Sequence, residues 1–310
     1  MVSPFFTRLW YQAKTGFRIP AGPVTVDVRA RRTPSMSHRR YVAAHAHDGT
    51  ATPATDALPG TSSSPANRPD APSPTGTVLI VGAGPGLGTA LALHFSSQQM
   101  RVALAARNTE RLAPLVQSIA ESGGTAGAFP CDACSESAVN GLLREVEREL
   151  VEPPELVIYN CEGSGPGGIL DITPHAFEDA WRVNCFGAFL VSRAVLPAML
   201  KHGRGTIVFT GPTGALRGRA GYANLAVGKS GARMLAQSMA REFGPRGIHV
   251  AHVVIDGPVH TPANADHEFE QGPQRLIQPH AIAATIGHLH RQHPSCWTHE
   301  LDLRSCVEPF

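Results

Sequence analysis

The sequence predicts a doubly wound α/β fold, with about seven parallel strands and helices on both faces of the sheet. From Thr77 onward, short apolar runs alternate with longer helical patterns, which indicates right-handed parallel crossovers. The short runs are apolar at nearly every position, as in a sheet that is covered on both faces. The first run leads directly into a glycine-rich turn, and ligands of such sheets bind at the carboxyl ends of the strands.

The individual elements follow from local composition and periodicity. Strands are predicted where β-branched and other apolar residues cluster, at 77–82, 101–106, 126–131, 155–160, 206–211, 248–255 and 297–303. Helices are predicted between them, where the apolar residues recur with a helical period, at 87–98, 109–121, 135–149, 175–200, 222–243 and 280–291.

The first 76 residues differ in composition from the rest of the chain. Residues 48–76 are rich in Pro, Ser, Thr and Ala and show no apolar periodicity, so we predict a disordered linker. The preceding stretch is rich in arginine and has a single acid, Asp27, which is typical of a mitochondrial or plastid targeting segment. A disordered basic tail on a cytoplasmic protein is the alternative. The folded domain is therefore expected to span residues 77–310.

Charge and cysteine content exclude several classes of partner. A net charge of +2 gives no indication of nucleic-acid binding. No uninterrupted apolar run reaches the ~18 residues of a membrane helix, so no membrane partner is predicted. Cys131 and Cys134 form a lone CxxC without a second ligand pair at suitable spacing, so we predict reduced thiols and no metal. A small-molecule substrate is the partner that we expect.

The glycine-rich turn after the first strand contains Gly82, Gly84, Gly86, Leu87 and Gly88. Glycines permit a tight turn and let the backbone approach a pyrophosphate, while the following helix presents free N–H groups and the positive end of its dipole. An ordinary turn is the alternative for an isolated run of glycines. After the first strand of an alternating array, however, the turn predicts a Rossmann-type dinucleotide site.

The end of the second strand indicates which dinucleotide binds. Folds that bind NAD place an acid there for the ribose 2′-hydroxyl. Here the sequence is Ala106-Arg107-Asn108, and the planar guanidinium of Arg107 suits a 2′-phosphate. NADP(H) is therefore favoured over NAD(H), with a solvated loop arginine as the alternative.

The order of these motifs resembles that of the short-chain dehydrogenase/reductase family over about residues 77–305. The matching segments are 82–88, Asp132, 159–163, 181–184, the helix around Lys229, and 256–261. The resemblance implies contacts with the adenine for Asp132 and with the nicotinamide side for Val259 and Thr261. It adds Asn160 and Lys229 to the cofactor-binding residues. It also implies a homodimer or homotetramer, formed through the helices at 175–200 and 222–243.

The resemblance implies a catalytic set that this chain carries only in part. In the family a serine orients the substrate carbonyl, a tyrosine transfers the proton, a lysine lowers the tyrosine pKa, and an asparagine holds a water. Asn184 and Lys229 are present, but Leu225 stands at the tyrosine position and Pro212 at the serine position. The segments HVAHVVIDG and WTHELDLR resemble a bacterial subgroup that also has an apolar residue in place of the tyrosine.

Two residues are candidates to replace the missing groups. Tyr222 precedes Lys229 by seven residues, which on one helix is about 20° in angle but ~10 Å along the axis. It is either the proton donor or a structural tyrosine at the helix entry. Thr213 is either a donor to the substrate carbonyl or a turn residue at the end of a strand.

The expected function is that of an NADP(H)-dependent oxidoreductase with an atypical active site, which acts on a carbonyl or alcohol. A non-catalytic NADPH-binding regulatory or scaffold protein is the alternative. The sequence does not define the substrate, because the loops that line the pocket vary freely on this fold.

Overall fold

The computed structural model describes residues 76–163, 165–262 and 274–308. Apart from Gly76, the predicted linker and targeting segment lie outside the described residues, and their disorder and function stay predictions.

The described chain contains one sheet of seven parallel strands, as the sequence predicted. Their order is β3-β2-β1-β4-β5-β6-β7. The strands are β1 (Thr77–Val81), β2 (Arg101–Ala106), β3 (Ala126–Pro130), β4 (Pro154–Tyr159), β5 (Gly205–Pro212), β6 (Ile248–Asp256) and β7 (Glu300–Arg304). Strand β7 begins three residues later than predicted, because residues 297–299 follow the 3₁₀ turn Pro294–Cys296 before the strand starts.

The described residues form seven α-helices around the sheet: α1 (Leu87–Ser97), α2 (Ala113–Glu121), α3 (Glu136–Leu150), α4 (Pro174–Trp181), α5 (Gly187–His202), α6 (Ala223–Phe243) and α7 (Pro279–His290). The single helix predicted at 175–200 is divided by a π-helical turn, Arg182–Phe186, between α4 and α5. A 3₁₀ turn, Glu110–Leu112, precedes α2. Both departures lie beside the site described below.

Two apolar cores lie on opposite faces of the sheet. Along β1, Val78 and Ile80 contribute to the core with α1, α2 and α7, whereas Leu79 and Val81 contribute to the core with α3, α5 and α6. Alternate side chains of a strand point to opposite faces, so burial on both faces requires the nearly continuous apolar run seen in the sequence.

The helical stretch Pro174–His202 is long and apolar enough to cross a membrane by length and composition alone. Half of its most apolar window is buried, and α5 packs against α3, β4 and β5. Its apolar face therefore has a place in the core of the domain. Because the core helix of a soluble protein passes the same test, this stretch is weak support for a membrane span.

Candidate active site

A groove of about 420 Å³ lies at the carboxyl ends of β1 to β4. The strand order changes direction between β1 and β4, so this groove is at the switch point of the sheet. It is lined by the glycine-rich turn, the segment after β2, the turn after β3 and the start of the loop after β4. Four predicted cofactor-binding segments thus meet in one place.

The glycine-rich turn forms a concave backbone surface, and glycine is required at two of its positions because a Cβ there would clash with neighbouring atoms. Gly82 and Gly86 have φ angles of +87° and +93°, in the region that favours glycine. A Cβ on Gly82 would lie 2.7 Å from the backbone nitrogen of Cys161, and one on Gly86 would lie 2.7 Å from a methyl group of Thr261. A Cβ on Gly84 would meet nothing within 4 Å, so the surface is open there.

The first turn of α1 completes this anion site. The helix begins at Leu87 with Gly86 as its N-cap, so no side chain caps the helix. The Thr89 N–H donates to the Gly84 carbonyl at 3.0 Å, so the N–H groups of Leu87 and Gly88 are the ones available to an anion, and the helix dipole favours negative charge there. Gly88 packs closely on Ala83, where a Cβ would come within 3.1 Å of the Ala83 Cα. The residues present therefore fit the pyrophosphate of a dinucleotide.

Two arginines line the groove beyond β2. Arg107 lies directly after the strand, as the sequence predicted, and its side chain is exposed. The carboxamide oxygen of Asn108 accepts the N–H of Glu110 at 3.0 Å and thereby starts the 3₁₀ turn that brings Arg111 to the groove. Sequence reasoning missed Arg111. The sequence does place Arg111 four residues after Arg107, about one helical turn, and this spacing could have indicated a second arginine at the groove.

The far side of the groove contains Asp132 and Cys134. Asp132 is exposed, and its carboxylate accepts the N–H of Cys134 at 2.9 Å, which fixes the turn after β3. The guanidinium of Arg182, in the π-helical turn, donates to the Cys134 carbonyl at 3.3 Å. Burial raises the pKa of Cys131 to about 11, and all six cysteines are free. Among the described residues, no group of three or more His, Cys, Asp or Glu is arranged to hold a metal.

Asn160 holds the ends of neighbouring strands together. Its amide donates to the carbonyl of Gly82 at 3.2 Å, and its carboxamide oxygen accepts the hydroxyl of Thr210 at 3.0 Å. It therefore fixes the glycine-rich turn against β4 and β5. On the other side, Val259 pairs with Ile277, and Thr261 lies against Gly86, so segment 257–262 flanks the same turn.

Lys229 is buried on α6, with 3% of its surface exposed. Its ammonium donates to the carbonyls of Cys161 at 2.7 Å and Thr210 at 3.2 Å, at the ends of β4 and β5. Burial lowers the pKa of Lys229, and the nearby Glu162 opposes that effect. Since an ammonium has three N–H groups, the described residues leave one for a ligand.

Asn184 lies in the π-helical turn, a type of helix defect that often marks functional sites. Its amide donates to the carbonyls of Gly163 at 2.6 Å and Ala180 at 2.8 Å. Both N–H groups of the side chain are therefore used within the protein. In this geometry Asn184 braces the loop after β4 against α4, and helix α6 packs on it at Gly228.

The structure separates Tyr222 from the lysine-bearing helix face. Helix α6 begins at Ala223, and Tyr222 is its N-cap, so the helical spacing assumed for Tyr222 and Lys229 does not apply. The ring of Tyr222 lies 5.4 Å from the guanidinium carbon of Arg219. Leu225, in contrast, is within the helix, four residues before Lys229, and half-buried.

Thr213 follows β5 directly and begins the 3₁₀ turn Thr213–Ala215, which packs against α6 and β6. Its hydroxyl donates to the carboxylate of Asp256, the last residue of β6. One of the two roles expected for Thr213 was to donate to a substrate carbonyl, but its hydroxyl proton is directed at Asp256. Arg304, the last residue of β7, pairs with the same carboxylate at 2.6 Å.

Much of the chain matches a known protein family. Residues 76–271 match the family described as short chain dehydrogenase. The chain belongs to the short-chain dehydrogenase family. Human (3R)-3-hydroxyacyl-CoA dehydrogenase is 29% identical to this short-chain dehydrogenase over 223 residues, which are 68% of this chain and 82% of the human protein.

Solved structures agree with this membership. A short-chain dehydrogenase from Rhodopseudomonas palustris is 36% identical, with a TM-score of 0.65, over 76% of this chain and 99% of that chain. A 7α-hydroxysteroid dehydrogenase in complex with NADH and 7-oxo glycochenodeoxycholic acid is 26% identical, with a TM-score of 0.66, over 76% and 96% of the two chains. The protein is thus an oxidoreductase of this family, which acts on hydroxyl or carbonyl groups with NAD(P)(H).

Proposed function

We propose that this short-chain dehydrogenase uses NADP(H) in preference to NAD(H) and acts on a small alcohol or ketone in a site without the family's tyrosine. The observation that carries the cofactor preference is the pair Arg107 and Arg111, which lines the groove beyond β2. The sequence there, Ala106-Arg107-Asn108, offers no carboxylate to the ribose 2′-hydroxyl. Two guanidinium groups favour a 2′-phosphate instead, because each can donate two hydrogen bonds to it.

The site retains the means to bind and orient reactants. When bound, the cofactor supplies or accepts the hydride. Lys229 has one N–H group left for a ribose hydroxyl, and Asn184 fixes the loop that carries Cys161 to Gly163. Leu225 has no proton to transfer, and loss of a general acid costs a factor of about 10²–10⁴ in rate. Positioning of the reactants preserves part of the rate enhancement, so we expect measurable turnover at a reduced rate.

A hydride-transfer screen of the purified full chain tests this function. NADPH and NADH, and the oxidised forms, are offered with a panel of ketones and secondary alcohols that includes 3-hydroxyacyl-CoA and hydroxysteroid substrates. We expect turnover with the phosphorylated cofactor and at least ~100-fold loss in Lys229→Ala, within the range for acid–base groups. A preference for NADH would contradict the cofactor assignment.

A non-catalytic NADPH-binding protein is the second candidate. It is favoured by Leu225 and Pro212, which occupy the positions of both proton-handling groups of the family. This candidate predicts NADPH binding by calorimetry together with no turnover of any compound in the panel.

The proposed homodimer or homotetramer has support from α4 and α5. Trp181 and Phe189 are 38% and 41% exposed, and both stack on Phe186, with ring centroids 5.6 and 6.2 Å apart. Adjacent exposed aromatic rings are typical of surfaces that a partner covers, and a second copy of this chain is the partner that we propose.

A further inference from the structure

We propose that Thr213 and Asp256 form a proton relay for a substrate hydroxyl, which accepts the proton of the alcohol during oxidation and returns it during the reverse reduction. The inference rests on the proposed function, since it needs a bound alcohol and an oxidised cofactor. It gives Asp256, which acts through Thr213, a part in proton transfer, and it makes Thr213 the acceptor of the substrate proton during oxidation.

The sheet itself brings the two residues together. Strands β5, β6 and β7 are neighbours, and their last residues are Pro212, Asp256 and Arg304. In the register of the sheet, Pro212 lies beside Ile255, and Asp256 lies beside Arg304. Thr213 is the next residue after β5, so its hydroxyl reaches the Asp256 carboxylate at the carboxyl edge of the sheet. The cofactor groove opens at this same edge.

Thr213 is accessible to a substrate and Asp256 is not, as a relay through Thr213 requires. Asp256 is 6% exposed, so a substrate does not contact its carboxylate directly. Thr213 is half-buried, and its hydroxyl oxygen keeps lone pairs after its proton is given to Asp256. A substrate hydroxyl can therefore donate to Thr213 Oγ1 while Thr213 donates to Asp256.

Arg304 balances the charge of the Asp256 carboxylate and so keeps it as an anion that accepts the hydrogen bond of Thr213. A buried carboxylate needs a compensating partner, and Arg304 supplies one at 2.6 Å. The same guanidinium contacts Asp302 at 3.0 Å, but that acid is 41% exposed. An ionised carboxylate has no proton to give and can take one. Protonation of Asp256 weakens the ion pair with Arg304 in both directions of the reaction, so the protonated carboxyl is a transient state of the relay.

The step balances without any further reactant. The substrate C–H bond breaks, and its hydrogen leaves with the electron pair as hydride to the oxidised nicotinamide. The substrate O–H bond breaks, and its proton forms a new bond to Thr213 Oγ1. The former proton of Thr213 forms a bond to Asp256, and the C–O bond becomes a carbonyl. The products are a ketone, the reduced cofactor and a protonated carboxyl that later loses its proton to water.

Kinetics of four variants test the relay. Thr213→Val keeps the shape of the side chain but removes the hydroxyl, and Thr213→Ser restores the hydroxyl. Asp256→Asn removes the accepting charge. Asp302→Asn is the matched control, because Asp302 also pairs with Arg304 but has no contact with Thr213. For alcohol oxidation we expect at least ~100-fold lower kcat in Thr213→Val and Asp256→Asn. Thr213→Ser should recover most of the loss seen in Thr213→Val, and Asp302→Asn should stay near wild type.

A second readout does not depend on turnover. Infrared difference spectra of the cofactor-free protein, labelled with ¹³C-carboxyl aspartate, compare wild type with Thr213→Val. Loss of the hydroxyl partner should shift a carboxylate band, and the same comparison in an Asp256→Asn background should show no shift. Calorimetric titration with NADP⁺ should give equal affinities for all four variants, which separates the relay from cofactor binding.

The outcomes are distinct. The relay is overturned if wild type oxidises an alcohol and Asp256→Asn is as active as Asp302→Asn, or if Thr213→Val leaves the carboxylate bands unchanged. If wild type binds NADP⁺ but turns over nothing in the panel, the proposed function fails, and the relay fails with it. Loss of NADP⁺ affinity or of the folded state in Asp256→Asn, with Thr213→Val fully active, indicates a purely structural ion pair and also refutes the relay.

Discussion

Restoring the family's tyrosine should convert this site into a faster ketone reductase. The change is Leu225→Tyr combined with Pro212→Ser. Position 225 is on α6, four residues before Lys229, so the two Cα atoms lie about 40° apart in angle and ~6 Å apart along the helix axis. Leu225 is half-buried, so a larger ring at this position has access to solvent.

The size of the gain follows from what surrounds Lys229. A tyrosine, with an ordinary pKa of ~10, serves near neutral pH only beside a cation, and Lys229 is the buried cation one turn away. A general acid contributes a factor of about 10²–10⁴. Two of the three N–H groups of Lys229 donate to backbone carbonyls. The tyrosine hydroxyl and the cofactor ribose therefore compete for the third N–H group. We therefore expect a gain of at least ~10-fold rather than the full range.

The assay is NADPH consumption during ketone reduction, followed by absorbance as a function of pH. Leu225→Phe is the matched control, because it adds the same ring without the hydroxyl. If the tyrosine variant is no faster than the phenylalanine variant, the alignment of position 225 with the missing acid is refuted. If Tyr222→Phe abolishes the activity of the wild type, Tyr222 at the N-cap of α6 is the working acid instead.

Four further outcomes are expected. Arg107→Ala should weaken NADPH binding about tenfold in calorimetry and leave NADH binding nearly unchanged. Arg148→Ala, which removes a distant exposed charge, should change neither affinity. Equal losses for both cofactors in Arg107→Ala would reject the assignment. The fragment 77–310 should unfold within a few degrees of the full chain, since residues 1–76 are predicted to be dispensable; a larger drop would contradict this domain boundary. Phe189→Glu should shift sedimentation toward monomer, and a wild type that is already monomeric at micromolar concentration would exclude the proposed assembly. Burial lowers the pKa of His252 from 6.5 to about 4, so the unfolded chain takes up a proton in this range and the folded protein does not. Stability should therefore be complete above pH 6.5 and fall by about 3 kcal/mol as the pH drops to 4, and chemical denaturation of His252→Gln should lack that slope.

Much of the architecture was predictable because its signals are local. The apolar run at Val78 to Val81 and the turn from Gly82 to Gly88 predict a covered strand that leads into an anion-binding helix start, and the structure shows both. A residue that must be buried on either face of a sheet has to be apolar, and a turn with φ near +90° favours glycine. Such constraints are visible in the sequence without knowledge of the partners.

The departures arise where a contact between distant segments changes a local preference. The helix predicted at 175–200 contains a π-helical turn, and Asn184 in that turn hydrogen-bonds to Gly163 after β4. Tyr222 falls just outside α6, where the loop after β4 meets it: Gly167 forms a β-bridge with Tyr222, and the Gly167 N–H donates to the Gly221 carbonyl at 2.8 Å. Periodicity cannot show either contact.

The strands, the cofactor turn, the arginine after β2 and the leucine at position 225 can all be read from the sequence, because each depends on the identity of adjacent residues. The contact of the Thr213 hydroxyl with Asp256, and the balance of that charge by Arg304, are visible only in the folded chain. These three residues are separated by more than 40 positions in the chain. They meet because β5, β6 and β7 are neighbours in a parallel sheet and end at the same edge, so their chemistry is a property of strand order and register rather than of any local motif.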